Sequence, residues 1–165
     1  MKILALGSNL SFNNNTPEEN INSAYQFITN NDIKILKRSH IYKSEAYPNK
    51  SDPLFCNSAI SIETDLKPEE LLNVILDIEK KFGRERKKKN NPRTLDIDII
   101  SYDNLILNEN DKLVIPHPHL HKRLFVLLPL KDISQEWKHP VFLKTTQEFI
   151  EEFDAVELNK VKKIK

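Results

Sequence analysis

Pro92-Arg93-Thr94-Leu95-Asp96-Ile97-Asp98-Ile99-Ile100 decides how this chain is read. From Leu95 onward, aliphatic and acidic residues alternate, the pattern of a half-buried strand. On a strand, residues two apart share a face. Asp96 and Asp98 therefore stand side by side, while Leu95, Ile97 and Ile99 point into a core. Two ionised carboxylates some 5–6 Å apart repel by roughly 3 kcal/mol at an effective dielectric near 20. A cation between them, or a shared proton, relieves that cost. Oxygen-only ligation favours a hard divalent ion, and magnesium is commonly held by one or two carboxylates plus phosphates. Taken alone, D-x-D is an ordinary polar strand face. Arg93 just before it, with Arg84 and Arg86 upstream, turns it toward a polyphosphate clamp.

Outward from this strand, the chain has 165 residues, 39% hydrophobic and 30% charged, the balance of one ordinary globular domain. No apolar run approaches the roughly 20 residues of a membrane span. Met1-Lys2-Ile3-Leu4-Ala5-Leu6-Gly7 reads as a first strand rather than a signal peptide. Cys56 is the lone cysteine, so no internal disulfide forms and a cytoplasmic location is expected. A net charge of +1 argues against general nucleic-acid binding, although the stretch from Lys80 to Arg93 is locally basic. Gly7 and Gly83 are the only two glycines, which excludes a glycine-rich phosphate loop. A nucleotide must then be held by side chains and a metal.

Local signals order the elements. Residues 2–6 read as a strand. Thr16-Pro17-Glu18-Glu19 opens a helix over 17–30, with Thr16 as N-cap and Glu19 at the capping-box position. Residues 33–44 suggest one strand and 55–64 another, separated by a proline-containing loop. Lys67-Pro68-Glu69-Glu70 opens a second helix, ended by Gly83 as a C-cap. Residues 84–92 read as a mobile loop, 105–107 and 113–115 as short partner strands, and 121–130 as a helix ending near Pro129. A helix at 145–153 and a charged tail from about 154 follow, with no role assigned to the tail. Strand–helix–strand–strand–helix–strand predicts an α+β, ferredoxin-like βαββαβ sandwich with C-terminal additions. Its mainly antiparallel sheet would carry helices on one face and leave the other for ligands.

The stretch Pro92–Ile100 resembles the signature of the 6-hydroxymethyl-7,8-dihydropterin pyrophosphokinase family of folate biosynthesis. Leu6-Gly7-Ser8-Asn9-Leu10 is similar to that family's opening motif. Phe55-Cys56-Asn57-Ser58-Ala59, Gly83-Arg84-Glu85-Arg86, Ile115-Pro116-His117 and Arg123–Leu130 extend the likeness over residues 3–135. The resemblance implies pyrophosphate transfer from ATP to the hydroxymethyl group of a reduced pterin, releasing AMP. It implies two magnesium ions on Asp96 and Asp98, with Arg84 and Arg93 acting on the phosphates. It places Glu79, Arg86, Ile99, Lys112, His117 and Arg123 around ATP. Phe55 and Phe125 would stack on the pterin, Asn57 would bond its ring, and Ser44 with its neighbours to Tyr47 would line its edge. A monomer is expected. The chain departs from the family with Asn90 and Asn91 before Pro92, a shorter loop from Arg86 to Arg93, Pro118 after His117, and Leu124 where glycine is frequent. Two other readings stay open on the residues alone. One is an RNA-binding module using residues 84–93. The other is a different metal-dependent phosphotransferase or nucleotidyltransferase.

Overall fold

Residues Asp96–Tyr102 do form a strand, with Ile97 and Ile99 buried and both aspartates on the opposite face. The computed structural model describes residues 1–46, 49–84, 91–109 and 112–164. In chain order the elements are β1 (Lys2–Ser8), α1 (Pro17–Thr29), β2 (Lys34–Arg38), β3 (Tyr42–Ser44), β4 (Phe55–Glu63) and α2 (Pro68–Lys81). There follow β5 (Asp96–Tyr102), β6 (Leu107–Glu109), β7 (Leu113–Ile115), a 3-10 turn at Leu120–Lys122, α3 (Leu124–Ile133), α4 (Thr146–Ile150), α5 (Ala155–Leu158) and β8 (Val161–Lys163).

The mixed α+β architecture rests on a six-stranded sheet in the order β5-β1-β4-β3-β8, with β2 also paired to β4. All of its described pairings are antiparallel. β6 and β7 form a separate hairpin; β7 covers the expected 113–115, while β6 is Leu107–Glu109 rather than 105–107. Among the described residues, no helix is long and apolar enough to cross a membrane.

Each helix start carries its own explanation. The Thr16 hydroxyl accepts from the Glu19 N–H at 3.3 Å, and the Glu19 carboxylate accepts from the Thr16 N–H at 2.7 Å. This reciprocal cap fixes the first turn of α1. The Glu70 carboxylate accepts the Lys67 N–H at 2.8 Å at the start of α2. Gly83, at φ +69°, ends α2. Its N–H reaches the Lys80 carbonyl at 2.9 Å, and the next N–H, of Arg84, reaches back to the Glu79 carbonyl at 3.1 Å. That bond pair is a Schellman closure, and it needs the left-handed residue that glycine supplies. A Cβ on Gly83 would stand 2.6 Å from the Phe12 ring, so the same glycine admits Phe12 against the helix exit.

Several expectations change. Residues 33–44 are two strands, because the chain turns at Ser39–Ile41 to satisfy distant partners. The Ser39 hydroxyl accepts the Ala59 N–H at 2.9 Å, and the Asp132 carboxylate accepts the His40 backbone N–H at 3.1 Å. Helices cover both faces of the sheet rather than one. α1 and α2 bury Leu4, Leu6, Ile60, Ile97 and Ile99 on the first face, while α3 and α4 bury Ile3, Ala59 and Ile100 on the second. The second face is thus left for ligands only toward one end, around Gly7 and Asn57. α3 runs through Pro129 to Ile133. Proline lacks an N–H, so the carbonyl of Phe125, four residues earlier, goes without that helical bond. The C-terminal helix is shorter than expected, Thr146–Ile150, and the charged tail returns to the sheet as β8.

Candidate active site

Three neighbouring strands bring the site together. In the register, Gly7 of β1 faces Asn57 of β4 on one side and Asp96 of β5 on the other. An added Cβ on Gly7 would lie 3.7 Å from Asn57 Oδ1, 3.8 Å from the Phe55 ring and 4.0 Å from Asp96 Cβ. The glycine therefore leaves an open floor between an amide and a carboxylate. In the sequence this position is visible only as part of a motif. A glycine inside a strand, in a chain with two glycines, was the signal available.

On the β5 side, charges are already paired. Asp96 Oδ1 accepts from Arg84, and Asp96 Oδ2 meets the Arg93 guanidinium at 2.9 Å. Arg84 also donates to Glu79. Glu79 is 2% exposed, and its Oε1 accepts the Ile97 N–H at 2.8 Å. Glu79 thus staples α2 to β5 and holds Arg84 between two carboxylates, which is a positioning role. Asp98 stands apart from this network: among the described residues no donor bonds its carboxylate. Burial, and then the neighbouring Asp96 charge, push the Asp98 carboxyl well above the ordinary carboxylate range.

Arg93 is held by the loop after β1. Its N–H donates to Asn9 Oδ1 at 2.7 Å, and its carbonyl accepts from the N–H groups of Asn9 and Leu10 at 3.0 and 3.1 Å. Asn9 Nδ2 donates in turn to the Pro53 carbonyl at 3.1 Å. One buried asparagine therefore joins the arginine segment to the loop preceding Phe55. Arg93, the residue after the 84–92 loop, is held in this way, and residues 85–90 of that loop lie outside the described residues. Arg93 Nε and the Thr94 hydroxyl are buried without a partner among the described residues, which leaves polar capacity for an anion.

The β4 side is neutral. Asn57 Nδ2 donates to Ser44 Oγ at 3.0 Å and to the Tyr42 carbonyl at 3.3 Å, both on β3. Its Oδ1 is left toward the space above Gly7. Phe55 begins β4 and Phe125 lies in the first turn of α3. Each has a guanidinium over its ring, Arg93 at 5.3 Å and Arg123 at 5.8 Å.

His117 follows the Ile115–Pro116 cis bond, and its N–H donates to the Ile100 carbonyl at 3.0 Å. Burial, and then the Arg123 charge, bring its imidazole down to about 4. The ring is neutral at pH 7, with one lone pair to accept with. It faces the His119 N–H at 3.2 Å on Nδ1 and Arg123 at 3.3 Å on Nε2, and cannot accept from both. An anion beside Arg123 would resolve that conflict.

Two expected ATP positions stand away from this group. The Ile99 side chain is 6% exposed in the core beneath α1 and α2, on the face opposite Asp98. Lys112 is exposed on the turn between β6 and β7, its N–H donating to the Glu109 carbonyl at 2.8 Å. Arg86 and Tyr47 lie outside the described residues.

Residues 3–135 match the family described as 7,8-dihydro-6-hydroxymethylpterin-pyrophosphokinase (HPPK). A 2-amino-4-hydroxy-6-hydroxymethyldihydropteridine pyrophosphokinase of Synechocystis sp. is 41% identical over 123 residues, which are 74% of this chain and 62% of that protein. One of the same name from Haemophilus influenzae is 38% identical over 134 residues, covering 81% of each. The Folic acid synthesis protein fol1 of Pneumocystis carinii is 43% identical over 109 residues, 66% of this chain, and the chain spans only 15% of it. Among solved structures, a Plasmodium falciparum HPPK-DHPS superposes with a TM-score of 0.73 at 17% identity, over 99% of this chain and 48% of that one. The chain belongs to the 7,8-dihydro-6-hydroxymethylpterin-pyrophosphokinase family.

Proposed function

We propose that this protein transfers the pyrophosphoryl group of ATP to the hydroxymethyl oxygen of 6-hydroxymethyl-7,8-dihydropterin and releases AMP. The observation that carries the reading is the Gly7 floor, with Asn57 and Phe55 on one side and Asp96 with two arginines on the other.

The flat pterin lies between Phe55 and Phe125, where stacking adds about 0.5–1.5 kcal/mol beyond buried area. Asn57 presents Oδ1 to an N–H of the ring, because its amide nitrogen is already engaged. Ser44 acts from behind Asn57. The triphosphate lies over β5, with Arg84, Arg93, His117 and Arg123 toward its oxygens. Arg86 and Lys112 are assigned to ATP by family likeness, and Ile99 serves through its main chain. The hydroxymethyl oxygen attacks the β-phosphorus, its proton passes through Asp96 or Asp98 to solvent, the bond from that phosphorus to the α–β bridging oxygen breaks, and AMP leaves.

Asp96 and Asp98 fit a hard divalent cation. They are oxygen ligands on one strand face, no donor among the described residues bonds Asp98, and burial and then the Asp96 charge raise the Asp98 carboxyl. Two magnesium ions are the occupants we assign, and when bound they supply charge neutralisation and in-line orientation. The arginines that now neutralise Asp96 are the groups a triphosphate would draw away. We read residues 1–165 as one domain, since both apolar clusters share one sheet. The strand order β5-β1-β4-β3 supports a ferredoxin-like βαββαβ unit with C-terminal additions. We take the working form to be a monomer acting on two small molecules.

Product analysis tests the reading. AMP should appear from ATP only when magnesium and the reduced pterin are both present. ADP as the product, or AMP without pterin, would overturn it.

A further inference from the structure

The family match ends at residue 135, yet the chain continues through α4 and α5 and returns to the sheet as β8. β8 pairs antiparallel with β3, setting Val161 opposite Ser44, Lys162 opposite Lys43 and Lys163 opposite Tyr42. The Ile164 N–H extends the ladder by donating to the Ile41 carbonyl at 2.8 Å. The two apolar residues of this segment grip both faces of the sheet. Val161 packs on the cluster under α3, and Ile164 packs on the cluster under α1 and α2.

β3 is three residues long, and it supplies the acceptors, Ser44 Oγ and the Tyr42 carbonyl, that orient the Asn57 amide. Without β8, this short strand would lie at the sheet edge with one side of its backbone unpaired, and such edges fray. A frayed β3 withdraws two of the three acceptors on Asn57 Nδ2 and leaves only the Phe55 carbonyl at 3.4 Å, so Oδ1 is held less firmly toward Gly7. The anchors of the triphosphate side are elsewhere: Glu79 holds Arg84, and Asn9 with Leu10 holds Arg93.

We propose that the strand Val161–Lys163 is a positioning element for the pterin half of the site, acting through β3 on Asn57. The inference rests on the pterin reading of Asn57 above. It predicts that loosening β8 weakens pterin binding and leaves nucleotide binding intact, a split that general destabilisation would not produce.

The test compares the full chain with a chain shortened to residues 1–159 and with Lys162→Pro, which cannot continue the ladder. Lys162→Thr is the control, keeping a residue suited to a strand. In the shortened chain and in Lys162→Pro, the dissociation constant of 6-hydroxymethylpterin, measured with a non-hydrolysable ATP analogue present, should rise about tenfold. The dissociation constant of the analogue itself should stay within about twofold, and kcat at saturating pterin within about threefold. Lys162→Thr should keep full-chain values. Should the shortened chain fail to fold, Lys162→Pro decides. Unchanged pterin affinity in Lys162→Pro, or equal loss for both ligands, overturns the proposal. Amide exchange at residues 42–44 is read without any ligand. If it does not quicken in these variants, the clamp is absent, whereas a full chain lacking pterin-dependent AMP release would sink the functional reading instead.

Discussion

The two halves of the site are built on different physics. The β5 half is a network of ion pairs, with Arg84 and Arg93 occupying both oxygens of Asp96 while Asp98 has no donor among the described residues. The β4 half is a set of neutral hydrogen bonds, with Asn57 held by Ser44 and Tyr42 in a fixed rotamer. The first half must exchange partners when a triphosphate and its cations arrive, because the cations compete with guanidinium groups for one carboxylate. The second half is preformed and loses little on binding. A charged substrate with its own counter-ions can displace ion pairs that a neutral heterocycle cannot, so the contrast matches the two substrates proposed above.

The sharpest way to break this contrast is at Asp98. Asp98→Ala should lower kcat by about 10³-fold or more, since charge stabilisation of the transferring group is the main catalytic term in this class. Pterin affinity in the absence of nucleotide should change little. Rate measurements at saturating magnesium decide it, and near-native turnover would remove Asp98 from the metal site. The neutral half predicts the opposite split. Asn57→Ala should raise the pterin KM by about 10- to 100-fold, the effect of one or two lost hydrogen bonds, while the KM for ATP stays within about twofold. Equal effects on both constants would mean that Asn57 supports the sheet rather than the pterin.

The smallest effect concerns the far lobe, which lies outside both halves. Burial, and then His121, bring His139 down to about 4, and its Nδ1 accepts the Val141 and Phe142 N–H groups. A depressed pKa means that the unfolded chain binds the proton more readily. Stability is therefore complete above pH 6.5 and falls as pH drops toward 4. Chemical denaturation should show a loss of about 2 kcal/mol over that window from this group, and His139→Asn should flatten it. An unaltered profile would place His139 in water. Turnover per folded molecule should not follow this titration, which separates the lobe from the site.

What could be read from the chain alone was local. The Thr16–Glu19 cap, the Gly83 stop and the Asp96/Asp98 face each depend on residues within five positions of one another, so spacing revealed them. Arg93 was legible for the same reason. The break at Ser39–Ile41 was not, because Ala59 and Asp132 cause it from distant positions. Coverage of both sheet faces was hidden too, since an apolar stripe does not say which face it will meet. Gly7 and Asn9 were visible only as members of a motif, because their roles arise across strands and loops. Gly7 matters through its register with Asn57 and Asp96, and Asn9 through bonds to Arg93 and Pro53. The tail looked like spare charge because β8 makes sense only beside β3.

Counting bound manganese ions by spin resonance is the most direct test of the site's central claim. With a non-hydrolysable ATP analogue, the full chain should hold two ions, and Asp98→Ala should lose at least one. Without the analogue, ions should bind at least about tenfold more weakly, because Arg84 and Arg93 already neutralise Asp96. Tight binding without nucleotide, or unaltered binding in Asp98→Ala, would contradict the assignment of the paired carboxylates to a metal-bound triphosphate.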